Sequence, residues 1–207
     1  MSQQAERQPT PEPTLRTRQK ADRREALLRA ARLLIAKQGY SRMRLEDLAG
    51  AAGISGPAVY RHFSSKDAVL VELLVGISDR LLAGGRSILV ETTDSDERLQ
   101  QLVALQMDFA LTEPELILIY DRDRYHLPAE ALSYVRRTQR QYVEIWIQAI
   151  GDAVPSGAIE VDRTRAHAVI GLINSTPRIP KTVSRKQARD VISAMALAAL
   201  GVDPTAV

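Results

Sequence analysis

From about residue 22 onward, apolar residues recur three and four positions apart along most of the chain, which is the spacing of one face of a helix. The first such stripe, at 26–35, has arginines on the opposite side and ends before Gly39. A shorter stripe at 45–52 follows, and Ser55 then stands where it can cap a third helix. The pattern therefore predicts three helices in close succession.

Helical spacing continues to the C-terminal end of the chain. A capping-box pattern, Ser64 with Asp67, precedes a long helix that the pair Gly84-Gly85 is expected to break. Further helices are expected at 94–109, 114–120, 128–149, 162–175 and 184–200. No segment alternates as a strand would, so the predicted fold class is all-α.

Residues 1–20 are rich in Pro, Gln, Thr and Arg and contain almost no apolar side chains. Such a segment cannot offset the entropy cost of folding by burial, so it is predicted to be a disordered basic arm. Hydrophobic residues make up 45% of the whole sequence, which is enough for the remainder of the chain to form a core.

Positive charge is concentrated in the first third of the chain. Residues 1–70 contain 13 Lys and Arg against 7 Asp and Glu, whereas residues 71–207 contain 15 against 18. The N-terminal third thus has a net charge of +6, against +3 for the whole chain. A DNA-binding segment joined to another domain would show this asymmetry, although an ordinary solvated surface would also account for it.

The chain has no cysteine, which excludes disulfide bonds, thiolate metal sites and cysteine nucleophiles. No apolar run is long enough to span a bilayer, and the N-terminus lacks the apolar segment of a secretory signal. These features predict a cytoplasmic protein with no membrane partner.

The segment GISGPAVYRHFSSKD, residues 53–67, fits the requirements of a short helix that enters the major groove of DNA. The helix starts with three small residues, so its backbone can approach the bases closely. Val59 and Phe63 are four positions apart and therefore point the same way. They are expected to anchor the helix in a three-helix core.

Side chains on the other faces of this helix can contact DNA. Arg61 can donate two hydrogen bonds to a guanine edge, and Ala58 can contact a thymine methyl group. Phosphates are within reach of Tyr60, His62 and Lys66. A polar helix surface without a DNA role is the alternative, but two helices, a tight turn and a capped third helix have the spacing of a helix-turn-helix.

This region resembles the DNA-binding domain of the TetR family of bacterial transcriptional repressors. The resemblance covers residues 22–74 and is carried by GISGPAVYRHFSSKDAVLVELL. That stretch has the family's Gly-apolar-Ser turn, small-residue helix start, apolar-Tyr-x-His-Phe motif, Ser-Lys pair and Leu-rich fourth helix. One departure is that the family usually has Thr or Ser near the start of the second helix, where this chain has Met43 and Arg44.

The resemblance implies an N-terminal three-helix helix-turn-helix DNA-binding domain at 21–65, followed by a helical ligand-binding and dimerisation domain at 66–207. It implies a homodimer that binds a palindromic double-stranded DNA operator and responds to a small-molecule effector, with no enzymatic activity and no cofactor. The DNA-facing positions that it implies are Gly56, Pro57, Ala58, Tyr60, Arg61, His62 and Lys66. Arg44 and Ser55 are further candidates for DNA contact, and Arg44 could neutralise a phosphate.

Proteins of this family usually dimerise through their two C-terminal helices, which here are predicted at 162–175 and 184–200. Small and branched apolar residues in these helices suit a four-helix interface, namely Ala166, Val169, Ile170, Ile173, Ile192, Met195, Ala196 and Ala199. The same residues could instead face the chain's own core.

Polar and aromatic side chains of the central helices are the candidates for an effector pocket, namely Tyr120, Arg124, Tyr134, Arg137, Gln141, Trp146 and Asn174. Trp146 could equally be a core residue. An apolar central region with a few arginines would suit an amphipathic acid such as an acyl thioester. Repression is the expected action, and activation stays open.

Two other functions are alternatives. The segment DRDRYH, residues 121–126, could serve a metal or an all-helical enzyme. Neighbours at i and i+2 point apart on a helix and the interleaved arginines would pair with the carboxylates, so no metal site and no catalytic residue are predicted. The second alternative is a DNA-organising protein without an effector, against which the size of the C-terminal region argues.

Overall fold

The computed structural model describes residues 15–155, 157–180 and 182–202, and in these ranges the chain is helical with no strand. The helices are α1 (Leu15–Gln38), α2 (Leu45–Ala52), α3 (Gly56–Val59), α4 (Lys66–Glu91), α5 (Ser95–Thr112), α6 (Pro114–Asp123), α7 (Ala129–Ala153), α8 (Ile159–Ile173) and α9 (Arg185–Leu200). The predicted all-α class is confirmed for this part of the chain. None of these helices is both long and apolar enough to cross a membrane.

The helices enclose two hydrophobic cores. The first core includes Leu27 of α1 and Val59 of α3, together with side chains of α2, α4, α6 and α7. The second core includes Trp146 of α7 and side chains of α4, α5, α8 and α9. Leu81 and Phe109 pack against both cores, so the two are in contact.

Helix α4 belongs to both cores. Val69 to Ile77 contribute buried side chains to the first core, and Leu82 contributes to the second. The boundary expected at residue 66 therefore falls at the start of a helix that both halves of the molecule share.

Helix α1 is longer than the apolar pattern indicated. It begins at Leu15, so residues 15–20 are helical, and the prediction of a disordered arm is wrong for them. Residues 18–23 are exposed, and an exposed stretch of helix leaves no apolar stripe in the sequence. Residues 1–14 of the predicted arm lie outside the described part of the chain.

Side-chain caps begin several helices. Ser184 and Gln187 form the predicted capping box, in which each side chain accepts the other's backbone N–H at 3.2 and 3.0 Å. Two predicted helix starts differ from the structure. Ser65, and not Ser64, accepts the backbone N–H that caps α4, and α8 begins before Asp162, which is buried in its first turn.

The pair Gly84-Gly85 does not break α4, contrary to the prediction, because the helix continues to Glu91. These glycines instead make room for neighbouring helices. A Cβ atom at Gly84 would lie 3.0 Å from the Leu105 side chain of α5, and one at Gly85 would lie 3.0 Å from the Tyr142 ring of α7. The sequence pair therefore marks a close approach of three helices.

We expect Gly85→Ala to lower the free energy of unfolding by about 1 to 3 kcal/mol, because the added methyl group would push the Tyr142 ring out of place. Gly76→Ala is the matched control in the same helix, since nothing lies within 4 Å of a Cβ atom there. It should raise stability by up to about 1 kcal/mol through helix propensity. Urea denaturation measures both values, and an equal gain for both variants would contradict the close approach.

Candidate nucleic-acid interface and ligand cavity

Helix α3 is held by a tight turn at one end and by two buried side chains. Gly53 has a φ of 64°, the left-handed conformation that ends α2, and the Ile54 N–H donates to the Ala49 carbonyl at 3.0 Å. Val59 and Phe63 are 0% and 1% exposed, which confirms the predicted anchor. A four-residue helix does not form alone, so its direction depends on this packing.

The anchored helix leaves most of the predicted DNA-binding residues accessible. Arg44, Ser55, Pro57, Tyr60 and Arg61 are exposed, while Gly56, Ala58, His62 and Lys66 are half-buried. No described residue binds the Arg61 side chain, so its guanidinium donors are free. These residues stay candidates for DNA contact.

Two of the candidates are tied to neighbours. The Tyr60 hydroxyl donates to Glu46 of α2 at 2.7 Å, and this hydrogen bond raises the pKa of the Tyr60 phenol. Lys66 Nζ lies 4.6 Å from the centre of the Tyr40 ring and 3.4 Å from the Ser41 carbonyl. Both side chains are therefore oriented before any DNA binds.

His62, which the sequence predicts to reach a phosphate, is half-buried. Its Nδ1 atom is buried and has no hydrogen-bond partner among the described residues. Burial first, and then the charge of Arg24, lower the pKa of the imidazole below its usual range. In the free protein at neutral pH the ring is therefore uncharged.

Arg24 is a positioning residue that the sequence pattern placed on the solvent face of α1. Its guanidinium lies 4.4 Å from the centre of the Phe63 ring and donates to the His62 carbonyl. The Nε atom donates at 2.8 Å to Glu72 of α4, which also accepts from Nη2. One side chain thus joins three parts of the protein, which are α1, α4 and the segment that follows α3. Only folding brings these residues together.

A cavity of about 460 Å³ lies among helices α4 to α8. Its apolar wall includes Ile77, Leu81, Phe109 and Leu116. The polar lining includes two groups of interest together with Asp121 and Glu144, and Glu144 pairs with Arg163 at 2.9 Å. Gln106, Tyr142 and Asn174 form a hydrogen-bonded chain, whereas Arg136, Arg140 and Arg163 carry positive charge.

Family models match both halves of the chain. The model for the bacterial regulatory proteins of the tetR family matches residues 27–73, and that for a tetracyclin repressor-like C-terminal domain matches residues 92–178. The transcriptional repressor KstR2 of Rhodococcus jostii (strain RHA1) is 31% identical over 154 residues, covering 74% of this chain and 76% of that protein. The chain is a member of the TetR family.

Solved structures share the TetR-family fold. The ketosteroid transcriptional regulator KstR2 of Mycobacterium tuberculosis has a TM-score of 0.74 at 24% identity, over 86% of this chain and 93% of that one. AibR in complex with isovaleryl coenzyme A and operator DNA has a TM-score of 0.68 at 19% identity, over 84% and 97%. Membership of the TetR family makes the protein a transcriptional regulator and not an enzyme.

The cavity of this TetR-family protein includes two of the seven predicted effector contacts, Tyr120 and Asn174. The other five do not line this cavity and stay predictions, namely Arg124, Tyr134, Arg137, Gln141 and Trp146. Trp146 is fully buried in the second core. One face of α7 lines the cavity, and it includes Arg136, Arg140 and Val143. The polar pattern of the sequence did not single out these residues.

The other four predicted effector contacts that do not line the cavity interact with neighbouring side chains. The Tyr134 hydroxyl donates to Asp79 at 2.8 Å, and Arg137 lies over the Tyr134 ring. Gln141 accepts from Arg86 at 3.2 Å. Arg124 stacks on the neighbouring Tyr120 and Tyr125 rings, at 5.1 and 4.4 Å from their centres. These contacts hold the four side chains at positions outside the cavity lining.

The acidic residues of the 121–126 segment face different partners. Asp123 is buried and pairs with Arg122 at 2.9 Å, while Asp121 lies 3.8 Å from Arg178. The His126 ring is 3.2 Å from the Ser41 hydroxyl. Within the described ranges no three His, Asp or Glu side chains are grouped so that they could hold a metal ion.

The two C-terminal helices have an outward apolar face as well as an inward one. The outward face comprises Ile159, Val161, Ala168, Val191, Ala194, Met195, Ala198 and Ala199. Most residues expected at an interface lie in the second core instead, namely Ala166, Val169, Ile173, Ile192 and Ala196. The apolar spacing could not separate the two faces because both carry small and branched residues.

Arg61→Ala is expected to weaken binding to a specific operator by about 1 to 3 kcal/mol and to relax the choice at one base pair of each half-site. The reason is that the free guanidinium can donate two hydrogen bonds to one base. Gel shifts over base-substituted operators measure both effects. Arg86→Ala, which removes an exposed arginine roughly 30 Å along α4 from its first residue, is the control. An unchanged preference at every position would remove Arg61 from base readout.

Proposed function

We propose that the protein is a homodimeric transcriptional repressor that binds a palindromic operator through α3 and releases it when an amphipathic anion occupies the cavity. The observation that carries this proposal is the mixed lining of the cavity, with apolar walls and the exposed arginines Arg136 and Arg140, on α4, α6 and α7, which also contribute to the first core. The similarity to the repressor KstR2 supports repression as the action.

Several features support DNA binding by the N-terminal third. Its net charge of +6 would attract phosphates, and counterion release would make the affinity strongly dependent on salt. Helix α3 is short, starts with small residues and has Arg61 exposed. These are the properties of a helix that enters a major groove.

The outward apolar face of α8 and α9 supports the homodimer. Val191 and Met195 lie one turn apart on α9, and they are 58% and 52% exposed. Contiguous exposed apolar surface of this kind marks a contact site. Pairing α8 and α9 with the same helices of a second copy would bury the face in a symmetric four-helix interface.

The lining of the cavity supports an amphipathic anion as the effector. Ile77, Leu81 and Phe109 would pack against an apolar chain, and the exposed guanidinium groups of Arg136 and Arg140 would bind an acidic group. An acyl thioester has both parts. The fold neighbour AibR, solved with isovaleryl coenzyme A, is consistent with this class.

The cavity is connected to α3 through α4. Ile77, Ser78 and Leu81 of α4 line the cavity, while the beginning of the same helix packs in the first core and binds Arg24 through Glu72. An effector that binds better to a conformer with a shifted α4 would lower operator affinity by its differential affinity for the two conformers.

Selection of genomic fragments with the purified protein tests the proposed function. At about 150 mM salt the dimer should enrich a palindromic sequence, and amphipathic acids should release it while neutral analogues should not. Enrichment of random fragments alone would contradict sequence-specific regulation. Retention of the operator in every acid would contradict an anionic effector.

Met195→Glu is expected to convert the dimer to monomers and to abolish operator binding at nanomolar protein concentration, because a carboxylate would be desolvated in the interface. Val90→Glu is the matched control, since Val90 is 83% exposed near the end of α4 and outside the C-terminal face. Sedimentation velocity measures the oligomeric state. A dimeric Met195→Glu protein would contradict the proposed interface.

Arg140→Ala is expected to weaken dodecanoate binding roughly fivefold, near 1 kcal/mol, because the arginine is exposed and its ion pair is screened. Binding of dodecanol should not change. Arg137→Ala is the control, since Arg137 lies on α7 but outside the cavity lining. Titration calorimetry measures all three values, and equal losses for both variants would place the carboxylate elsewhere.

A further inference from the structure

Three polar side chains form a hydrogen-bonded chain along the wall of the cavity. The Tyr142 hydroxyl of α7 donates to Gln106 Oε1 of α5 at 3.0 Å. Gln106 Nε2 in turn donates to Oδ1 of Asn174, which follows α8, at 2.9 Å. All three residues line the cavity, so the chain faces whatever molecule fills it.

Two members of this chain are deeply buried, at 2% exposed for Gln106 and 6% for Tyr142. An apolar residue would fill the space of Gln106 without the cost of desolvating an amide. Gly85 of α4 leaves room for the Tyr142 ring, since a Cβ atom there would lie 3.0 Å from it. The chain is thus built into the contact of four helices, whereas Arg136 and Arg140 are exposed at the edge of the cavity.

The amides of Gln106 and Asn174 keep N–H groups that are available to a ligand. Gln106 Oε1 and Asn174 Oδ1 already accept, whereas each amide carries two N–H groups and only one of the four is used among the described residues. Gln106 is 2% exposed, and a buried N–H without a partner is costly, so this part of the wall favours a ligand that brings an acceptor. None of the three side chains is charged, which favours an uncharged oxygen over a second carboxylate.

We propose that the effector carries a carbonyl or hydroxyl oxygen on its buried part and that the amides of Gln106 and Asn174 bind it. This inference rests on the proposed anionic effector and specifies it further. The acidic group of the effector binds at Arg136 and Arg140. The amides select an effector whose hydrocarbon part carries an oxygen over one of the same length that does not. Gly85 acts as a positioning residue by fixing the Tyr142 ring that orients Gln106.

The protein contains an intrinsic fluorescent probe for binding at this wall. Trp146 is its single tryptophan, is fully buried, and meets the Tyr142 ring edge-on with ring centres 6.4 Å apart. A ligand that binds Gln106 changes the surroundings of the Tyr142 hydroxyl and hence of the indole. Tryptophan fluorescence therefore reports occupancy in the full-length protein without DNA.

The test compares dodecanoic acid with a series of oxododecanoic acids in which the keto group moves along the chain. We expect at least one oxo isomer to bind about tenfold more tightly than dodecanoic acid. Gln106→Leu should remove that preference and bind dodecanoic acid at least as well as the unaltered protein does. Gln139→Leu is the matched control, because Gln139 also lines the cavity but is not one of the three hydrogen-bonded side chains. This variant should keep the preference.

Tyr142→Phe guards against a folding defect in Gln106→Leu, since it removes only the hydroxyl that orients Gln106, and it should reduce the preference. Equal binding of all the acids by the unaltered protein would overturn this inference and leave the anionic effector intact. A preference retained in both variants would also overturn it. Failure of every acid to bind would overturn the anionic effector together with this inference, whereas operator binding, measured separately, would still test the regulator.

Discussion

Helix α3 is only four residues long, so the direction in which it presents its side chains depends on the burial of Val59 and Phe63 in the first core. That burial leaves Ala58, Tyr60 and Arg61 on the outer faces of the segment. Every step from the sequence to DNA binding relies on this anchor. A shift of the core would therefore move the whole DNA-binding surface.

The same core extends into α4, α6 and α7, which line the cavity, and this gives the proposed control by a ligand a physical route. Beside α4, helix α6 is a second connection, because Arg122 donates to the carbonyls of Ile35 and Ala36 at the end of α1. Arg32 of α1 also pairs with Glu113, at 2.6 Å. The cavity and the DNA-binding surface thus share two helices and a set of charged contacts.

The local features of the fold could be predicted from the sequence. Val59 and Phe63 follow helical spacing, and the Ser184 cap has its partner three residues away, so each depends on neighbours in the chain. Features that join distant segments could not be predicted. Arg24 meets Glu72 across 48 positions, and Gly85 is explained only by the Tyr142 ring of another helix. The sequence also could not show which polar residues of α7 face the cavity, because that depends on how the other helices pack around α7.

The chain has no cysteine, so a thiol introduced at one position can be modified without interference. Ser55→Cys changes one atom at the exposed start of α3, and Ser87→Cys does the same on an exposed part of α4. The most direct test of the anchored DNA-binding surface is the rate of maleimide modification with and without the selected operator. The account predicts that operator DNA slows modification at Ser55→Cys and leaves the rate at Ser87→Cys unchanged. An unchanged rate at Ser55→Cys in the bound complex would contradict it.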